Sequence, residues 1–221
     1  LMDEWVALMK SGTGERGIFN RGSLTKTLPE RRLKYLQKKY GKKNGDIGQV
    51  GTNPCGEIIL QSKQFCNLSE VIARANDTEK TLLRKVKLAT LLGTYQSTLT
   101  KFNYISKEWT ENCEAERLLG VSITGQWDSP AVRNGSTLKK MRQLSIKTNQ
   151  TYAKRFGINP SNSITCVKPS GTVSQAFDCS SGIHHRHSQY YIRRIRISAT
   201  DSLYRVVKDQ GVPHNPEVGQ I

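Results

Sequence analysis

The chain has no Cys-x-x-Cys pair, no long apolar run and, against 34 Lys and Arg, only 18 Asp and Glu. Its cysteines number five, at positions 55, 66, 113, 166 and 179. An odd set without close pairs excludes a secreted disulfide framework and a thiolate zinc site, and a reducing cytoplasm is expected. Without an apolar stretch of roughly 18 residues no bilayer-crossing helix can form, and the first residues lack the charged-then-apolar layout of a targeting segment. The scarcity of acid leaves a formal charge of +16, and a positive field attracts polyanions. Lys26, Arg31, Arg32, Lys34, Lys38, Lys39, Lys42 and Lys43 therefore make a basic nucleic-acid-binding module the rival reading. No zinc knuckle, C₂H₂ spacing or aromatic platform accompanies them. A solvated helix face around Leu28, Leu33 and Leu36 accounts for the cluster as well, so a nucleic-acid partner is not expected.

What is present is a rhythm of helices and strands. Trp5, Leu8 and Met9 share a helical face with Leu1. Asp77 or Thr78 caps a helix with Leu82, Val86, Ala89 and Leu92 on one side, running to about Lys101. Leu118 to Ile123 reads as a buried strand. Ser136 opens a second long helix through Leu138, Met141, Leu144, Tyr152 and Phe156, stopped by Gly157 and Pro160, and Ile164 to Val167 is the next strand. Tyr191 to Ile197 alternates Ile and Arg in the strand manner, and Asp201 opens a short helix closed by Gly211 and Pro213. The alternation predicts an α/β architecture with a mostly parallel sheet.

The most specific chemistry lies in Thr52-Asn53-Pro54-Cys55-Gly56-Glu57-Ile58. If this segment is extended, Asn53, Cys55 and Glu57 point to one face and Pro54 and Gly56 to the other. A carboxylate raises the pKa of a neighbouring thiol, so an ordinary thiolate nucleophile is a poor fit. A thiol that exchanges a hydrogen atom needs no ionisation, and the carboxylate is then free to act as base on a hydroxyl. The trio suits radical chemistry on a polyol. A buried cysteine in a strand between turn residues is the plainer alternative for a lone Asn-Pro-Cys.

Beyond the trio, Gly51 to Leu60 followed by Gln64-Phe65-Cys66-Asn67-Leu68-Ser69-Glu70-Val71 resembles the catalytic segment of ribonucleotide reductases. Within them it is similar to the adenosylcobalamin-dependent class, of the ribonucleoside-triphosphate reductase type. Four further segments resemble the same family in the same order: Thr13-Gly14-Glu15-Arg16-Gly17-Ile18-Phe19-Asn20-Arg21, Arg117 to Gly125, Val167-Lys168-Pro169-Ser170-Gly171-Thr172, and Gly182-Ile183-His184 running into Tyr190-Tyr191-Ile192-Arg193-Arg194. The resemblance implies that Cys55 is the thiyl-radical cysteine acting on the ribose 3′ carbon. It makes Glu57 the base for the 3′-hydroxyl, Asn53 the amide that hydrogen-bonds the substrate hydroxyls, and Cys66 one of two reducing cysteines. The partner of Cys66 lies upstream in family members, and no cysteine precedes Cys55 here. The short interval from Cys55 to Cys66 favours adenosylcobalamin over a separate metal-radical subunit, whose users tend to have the second cysteine further along.

The resemblance further implies part of a ten-stranded α/β barrel with Cys55 on a central finger loop, residues 1–221 forming a partial catalytic domain. The missing segments of the same enzyme, a ribonucleoside triphosphate substrate and thioredoxin or a similar dithiol are the implied partners. Half a barrel leaves strand edges unpaired, so an excised piece is expected to be poorly stable or aggregation-prone. Pro169, Ser170, Gly171 and Thr172 follow a strand and precede a helix, a junction whose N–H groups bind phosphate. On the residues alone they are a plain turn; the family segment they match holds the substrate phosphates. His184, His185 and His187 lack carboxylate or Cys partners and read as surface histidines, so no metal site is expected. Cys113, Cys166 and Cys179 read as buried or incidental thiols.

Overall fold

Leu82, Val86 and Ala89 return to the same side of a helix every turn, and the computed structural model places that side against two parallel strands. The structure describes residues 2–12, 17–41, 47 and 50–216; Leu1, the segment 13–16, Lys42, Lys43 and Gln220-Ile221 of the readings above lie outside them. The chain divides into two compact units, Leu1–His185 and Arg186–Ile221.

In the first unit α1 (Met2–Ser11), α2 (Leu24–Thr27) and α3 (Glu30–Tyr40) precede a hairpin of β1 (Val50–Thr52) and β2 (Ile59–Gln61). There follow β3 (Asn67–Ile72), α4 (Glu79–Gln96), α5 (Lys107–Glu116), β4 (Leu119–Thr124), α6 (Gly135–Phe156) and α7 (Gly171–Ala176). β1 and β2 pair antiparallel, and β3 pairs parallel with β4 from Asn67↔Leu119 to Ile72↔Thr124. On the far side of β4 the expected strand 164–167 reduces to one parallel bridge, Val121↔Thr165. It goes no further because Pro169 has no N–H to give and the Lys168 N–H turns to the Ser122 hydroxyl at 3.0 Å. The α/β alternation is therefore realised as two consecutive strand–helix–strand units, with four strands in two small sheets among the described residues.

The core is the side of the β3–β4 sheet covered by α4 and α6: Val71, Ala73, Leu82, Val86, Ala89, Leu119, Val121, Val132, Met141 and Ile164. Each large apolar side chain removed from water there contributes about 1.5–3 kcal/mol. α4 starts at a capping box in which Thr78 and Thr81 exchange side-chain and backbone bonds. It ends at Gln96 rather than near Lys101, because the hydroxyls of Ser97 and Thr98 bond the carbonyls of Thr94 and Tyr95 and close the last turn. α6 is capped by Asn134, whose Oδ1 accepts from Ser136 N at 2.9 Å, and stops at Gly157 with φ +68°. Asn149, fully buried, donates to Thr94 Oγ1 and Ser161 Oγ and accepts from Ser161 N, fastening α6 to α4 and to the chain beyond. The helix face expected around Trp5 and Met9 exists in α1, with both side chains more than half exposed.

The basic cluster is the solvated face expected at Lys26, Lys34, Lys38 and Lys39, which are exposed, but not at Arg31 and Arg32. Leu36 is fully buried in a second apolar cluster with Leu24, Ile47 and Val50. Arg32, 1% exposed, donates from Nε to Glu116 Oε1 at 2.9 Å. Arg31 Nε donates to the Ser161 carbonyl and Lys39 to Gln61 and Asn112. Glu116 also accepts from Gln61 Nε2 at 2.6 Å and Gln64 Nε2 at 2.9 Å.

The second unit corrects one strand. Residues 191–197 adopt no strand, and Ile192 and Ile195 are 93% and 71% exposed; an alternating pattern alone does not make a strand. α8 (Ser202–Asp209) forms as expected, with Asp201 Oδ1 accepting from Leu203 N at 2.8 Å.

Glu116→Ala leaves the Arg32 guanidinium buried without its counter-charge and is expected to cost about 3–5 kcal/mol, read from the urea midpoint of the first unit. A loss below about 1 kcal/mol would deny the carboxylate its anchoring role.

Candidate active site

Between β1 and β2 the chain makes a tight loop, and strand alternation is broken there. Gly56 N donates to the Asn53 carbonyl at 3.0 Å and Asn53 N to the Ile58 carbonyl at 3.2 Å, while Asn53 Oδ1 accepts from Ile58 N at 3.0 Å. Pro54 presets its backbone for such a turn and Gly56 takes φ +79°, which a residue with a Cβ adopts only with strain. The expected single face of Asn53, Cys55 and Glu57 is thereby corrected. Cys55 stands exposed at the tip, Glu57 turns inward with Oε2 buried and without a hydrogen-bond partner among the described residues, and Asn53 closes the loop with its side-chain oxygen. Only the Asn53 amino group is left to donate outward.

The inward Glu57 lies near two thiols. Cys66 precedes β3 and is half-buried. Burial pushes its thiol up to about 12, Cys166 and Glu57 acting in the same sense and Arg32 and the Asn67 N–H against it. Burial likewise pushes Cys166 up to about 12, with the negative charges of Glu57 and Glu70 adding and Lys168 opposing. Both are neutral thiols at physiological pH. They come from segments on either side of β4, which carries Gly120 between them. A Cβ on Gly120 would lie 2.4 Å from Leu68 Cδ2, 3.0 Å from Cys166 Sγ and 3.1 Å from Ile58 Cδ1. The missing side chain is thus the notch into which the hairpin, β3 and the 164–167 segment all fit.

The phosphate candidate follows directly. Lys168 Nζ lies 3.8 Å from Glu70 Oε2. Ser170 occupies the left-handed region at φ +55°, ψ +53°, and its hydroxyl is buried without a partner. Its carbonyl accepts from Ser174 Oγ and from Ser181 Oγ, the latter also bonding the Pro169 carbonyl at 2.7 Å. Gly171 and Thr172 begin α7. The structure brings Glu57 near Cys66 and Cys166 and Lys168 near Glu70, with Cys55 on the same loop as Glu57, which also lines a cavity with Arg142 and Ile146 of α6. Of these, the sequence reads Cys166 as a buried or incidental thiol and gives Glu70 no role. Alternation carried the signal for both: Cys166 is in step with Lys168, and Glu70 with Leu68 and Cys66. His184 and His185 are exposed, His185 with its ring 6.0 Å from Trp127.

No family model matches the chain. An adenosylcobalamin-dependent ribonucleoside-triphosphate reductase of Lactobacillus acidophilus is 29% identical over 76% of the chain and 26% of that protein. The reductase of the same description from Lactobacillus delbrueckii subsp. bulgaricus is 31% identical over 80% of the chain and 28% of that protein. The chain thus spans about a quarter of the length of these curated relatives. Among solved structures, a class Id ribonucleotide reductase alpha subunit from Actinobacillus ureae matches with a TM-score of 0.57 at 16% identity, over 94% of this chain and 46% of that one, a likeness of fold.

Alkylation separates the three thiols. At pH 8 iodoacetamide is expected to modify Cys55 first, with Cys66 and Cys166 slower by about two to three orders of magnitude for want of thiolate. Because the two inner thiols stay protonated in the folded chain while unfolded ones ionise near 9, stability falls as pH rises from about 9 towards 12. Equal labelling of all three by mass spectrometry in the folded chain would contradict this arrangement.

Proposed function

We propose, from the premise that the chain is a sequence relative of adenosylcobalamin-dependent ribonucleoside-triphosphate reductases, that it carries the radical and substrate-activating residues of such an enzyme. In this reading the chain is part of a ten-stranded α/β barrel, the hairpin loop of Cys55 is its central finger, and residues 1–221 need the remaining segments of the enzyme to act. The observation that carries the reading is the unpartnered inward carboxylate of Glu57, two residues from an exposed thiol and beside two neutral ones.

The reaction replaces the 2′-hydroxyl of a ribonucleoside triphosphate with hydrogen. Cys55, as a thiyl radical, takes the hydrogen atom from the ribose 3′ carbon; Glu57 takes the proton of the 3′-hydroxyl; the Asn53 amino group donates to a substrate hydroxyl. A neutral thiol at Cys66 suits a donor of hydrogen that ends as a disulfide, with its partner cysteine supplied by another segment and thioredoxin or a similar dithiol restoring it. Pro169, Ser170, Gly171 and Thr172 receive the phosphates, the buried Ser170 hydroxyl being the polar group left for them. Adenosylcobalamin, when bound, supplies the radical that Cys55 uses. This chain fits the group through access: the thiol is exposed and the space where a Cβ on Gly56 would project is open. Of the described cavities, about 250 and 410 Å³, the first is lined by Glu57 and Ile58 of the loop with Arg142 and Ile146, and the second by Cys166 with Val86 and Met141; neither is lined by Cys55, so in this reading the bed for the cofactor belongs to other segments.

Assembled with the remaining segments, Glu57→Gln is expected to lower deoxynucleotide formation by about 10² to 10⁴, the worth of a positioned general base, with substrate affinity little changed. Undiminished turnover in a stable variant removes Glu57 from the mechanism. Cys55→Ser abolishes reduction while nucleotide still binds, and retained product would sink the assignment. Cys66→Ser permits radical formation but not complete reduction; full yield with dithiothreitol would count against its role.

A further inference from the structure

Glu70 has no part in the chemistry above, yet its carboxylate is held in a state that calls for a ligand. It stands on β3 in register with Ser122 of β4, on the same strand face as Leu68 and therefore on the Gly120 side of the sheet, away from α4 and α6. Its side chain is 8% exposed. Neither oxygen has a hydrogen-bond partner among the described residues. Lys168, at 3.8 Å, is close enough for an ion pair and too far for a hydrogen bond. The Ser122 hydroxyl accepts from the Lys168 backbone N–H rather than serving Glu70. A buried carboxylate without donors is costly to keep.

A carboxylate only accepts, so it repels a phosphate and attracts O–H and N–H groups. Lys168 does the reverse and leads straight into 169–172. One ligand that satisfies both must carry neutral donors and an anion together, as a nucleotide does. Glu70 is four residues along β3 from Cys66, roughly 13 Å at the usual rise per residue, a span suited to a sugar and its first phosphates. We propose that Glu70 is a ligand-binding carboxylate of this site: it accepts hydrogen bonds from the O–H or N–H donors of the nucleoside part, while Lys168 turns from an ionic pairing to the phosphates. The inference rests on the nucleotide reading above and adds to it the group that recognises the neutral part of the ligand.

The test is calorimetric titration of the full chain, assembled with the remaining segments of the enzyme, and of its Glu70→Met and Glu70→Gln variants in the same assembly, with ATP, inorganic tripolyphosphate and 2′,3′-dideoxy-ATP. Glu70→Met is expected to weaken ATP by about 10- to 100-fold, the range for hydrogen bonds to a charged group. Tripolyphosphate, which has no such donors, holds or tightens as a negative charge leaves. Glu70→Gln, keeping the shape, falls between. The melting temperature of Glu70→Met stays at or above that of the original chain, because removing a buried carboxylate without hydrogen-bond donors outweighs the loss of its 3.8 Å pairing with Lys168. If dideoxy-ATP is insensitive to the substitution, the sugar hydroxyls are the donors; if it remains sensitive, the base amino group is. Equal weakening of ATP and tripolyphosphate, or unchanged ATP affinity with a lowered melting temperature, overturns the proposal and leaves Glu70 a structural partner of Lys168. An original chain that binds neither ATP nor tripolyphosphate overturns the nucleotide reading and this inference with it, whereas binding without dependence on Glu70 overturns only the inference.

Discussion

A carboxylate with no exposed surface, that of Glu116, has to be neutralised and hydrogen-bonded by the protein alone, and the groups that do so come from four places along the chain. Arg32 arrives from α3, Gln61 from the end of the hairpin, Gln64 from the approach to β3 and Asn162 from the segment after α6. Removing water from such a group is expensive, so the arrangement is stable only when all its donors are in place. The base of the hairpin is thereby fixed relative to the start of β3. Cys55 and Cys66 hang from those two segments, and the distance between the loop-tip thiol and the inner one is set by a network that neither belongs to.

A second constraint acts at the other end of the hairpin. Ile58 fits the notch at Gly120, held against Leu68 and Cys166. With one end tied by charge and the other by shape, Glu57 has little choice but to face the thiols. The electrostatics follow from the same closeness. Burial first, and the neighbouring carboxylates after it, keep the two inner thiols protonated, the form from which a hydrogen atom rather than an electron pair is given.

Much of this was legible in the chain. Capping residues and helical spacing located α4 and α6 to within a few residues, because local hydrogen bonds decide helix ends. The strand of Leu119–Thr124 showed as an apolar run because both its faces are covered. Residues 191–197 carried the strand pattern and formed none, since pairing depends on a neighbour that no local pattern reports. The spacing of Asn53, Cys55 and Glu57 drew attention to the right residues through the wrong geometry: Pro54 and Gly56 bend the segment, and the trio is organised by a turn. Arg32 looked like one more surface cation, and only its distant partner, Glu116, reveals it as an internal one. Cys166 read as an incidental thiol and Glu70 carried no role, because their meaning comes from the strand between them.

The separation along the chain of the Glu116 contacts bears on how the molecule comes together. β3 packs on α4, α4 packs on β4 and α6, and β3 pairs with β4 from Asn67↔Leu119 onward, so the frame too is closed by contacts distant along the chain. Gln61 and Gln64 must find a carboxylate 55 and 52 residues away, and Arg32 one 84 away. Closing loops of that length is entropically costly until a scaffold already holds one end. Pairing of β3 with β4 already brings Gln64 to Glu116, each three residues ahead of a paired position, so the thiol-bearing hairpin is anchored as the sheet forms and the contact from Arg32, the most distant along the chain, closes over it.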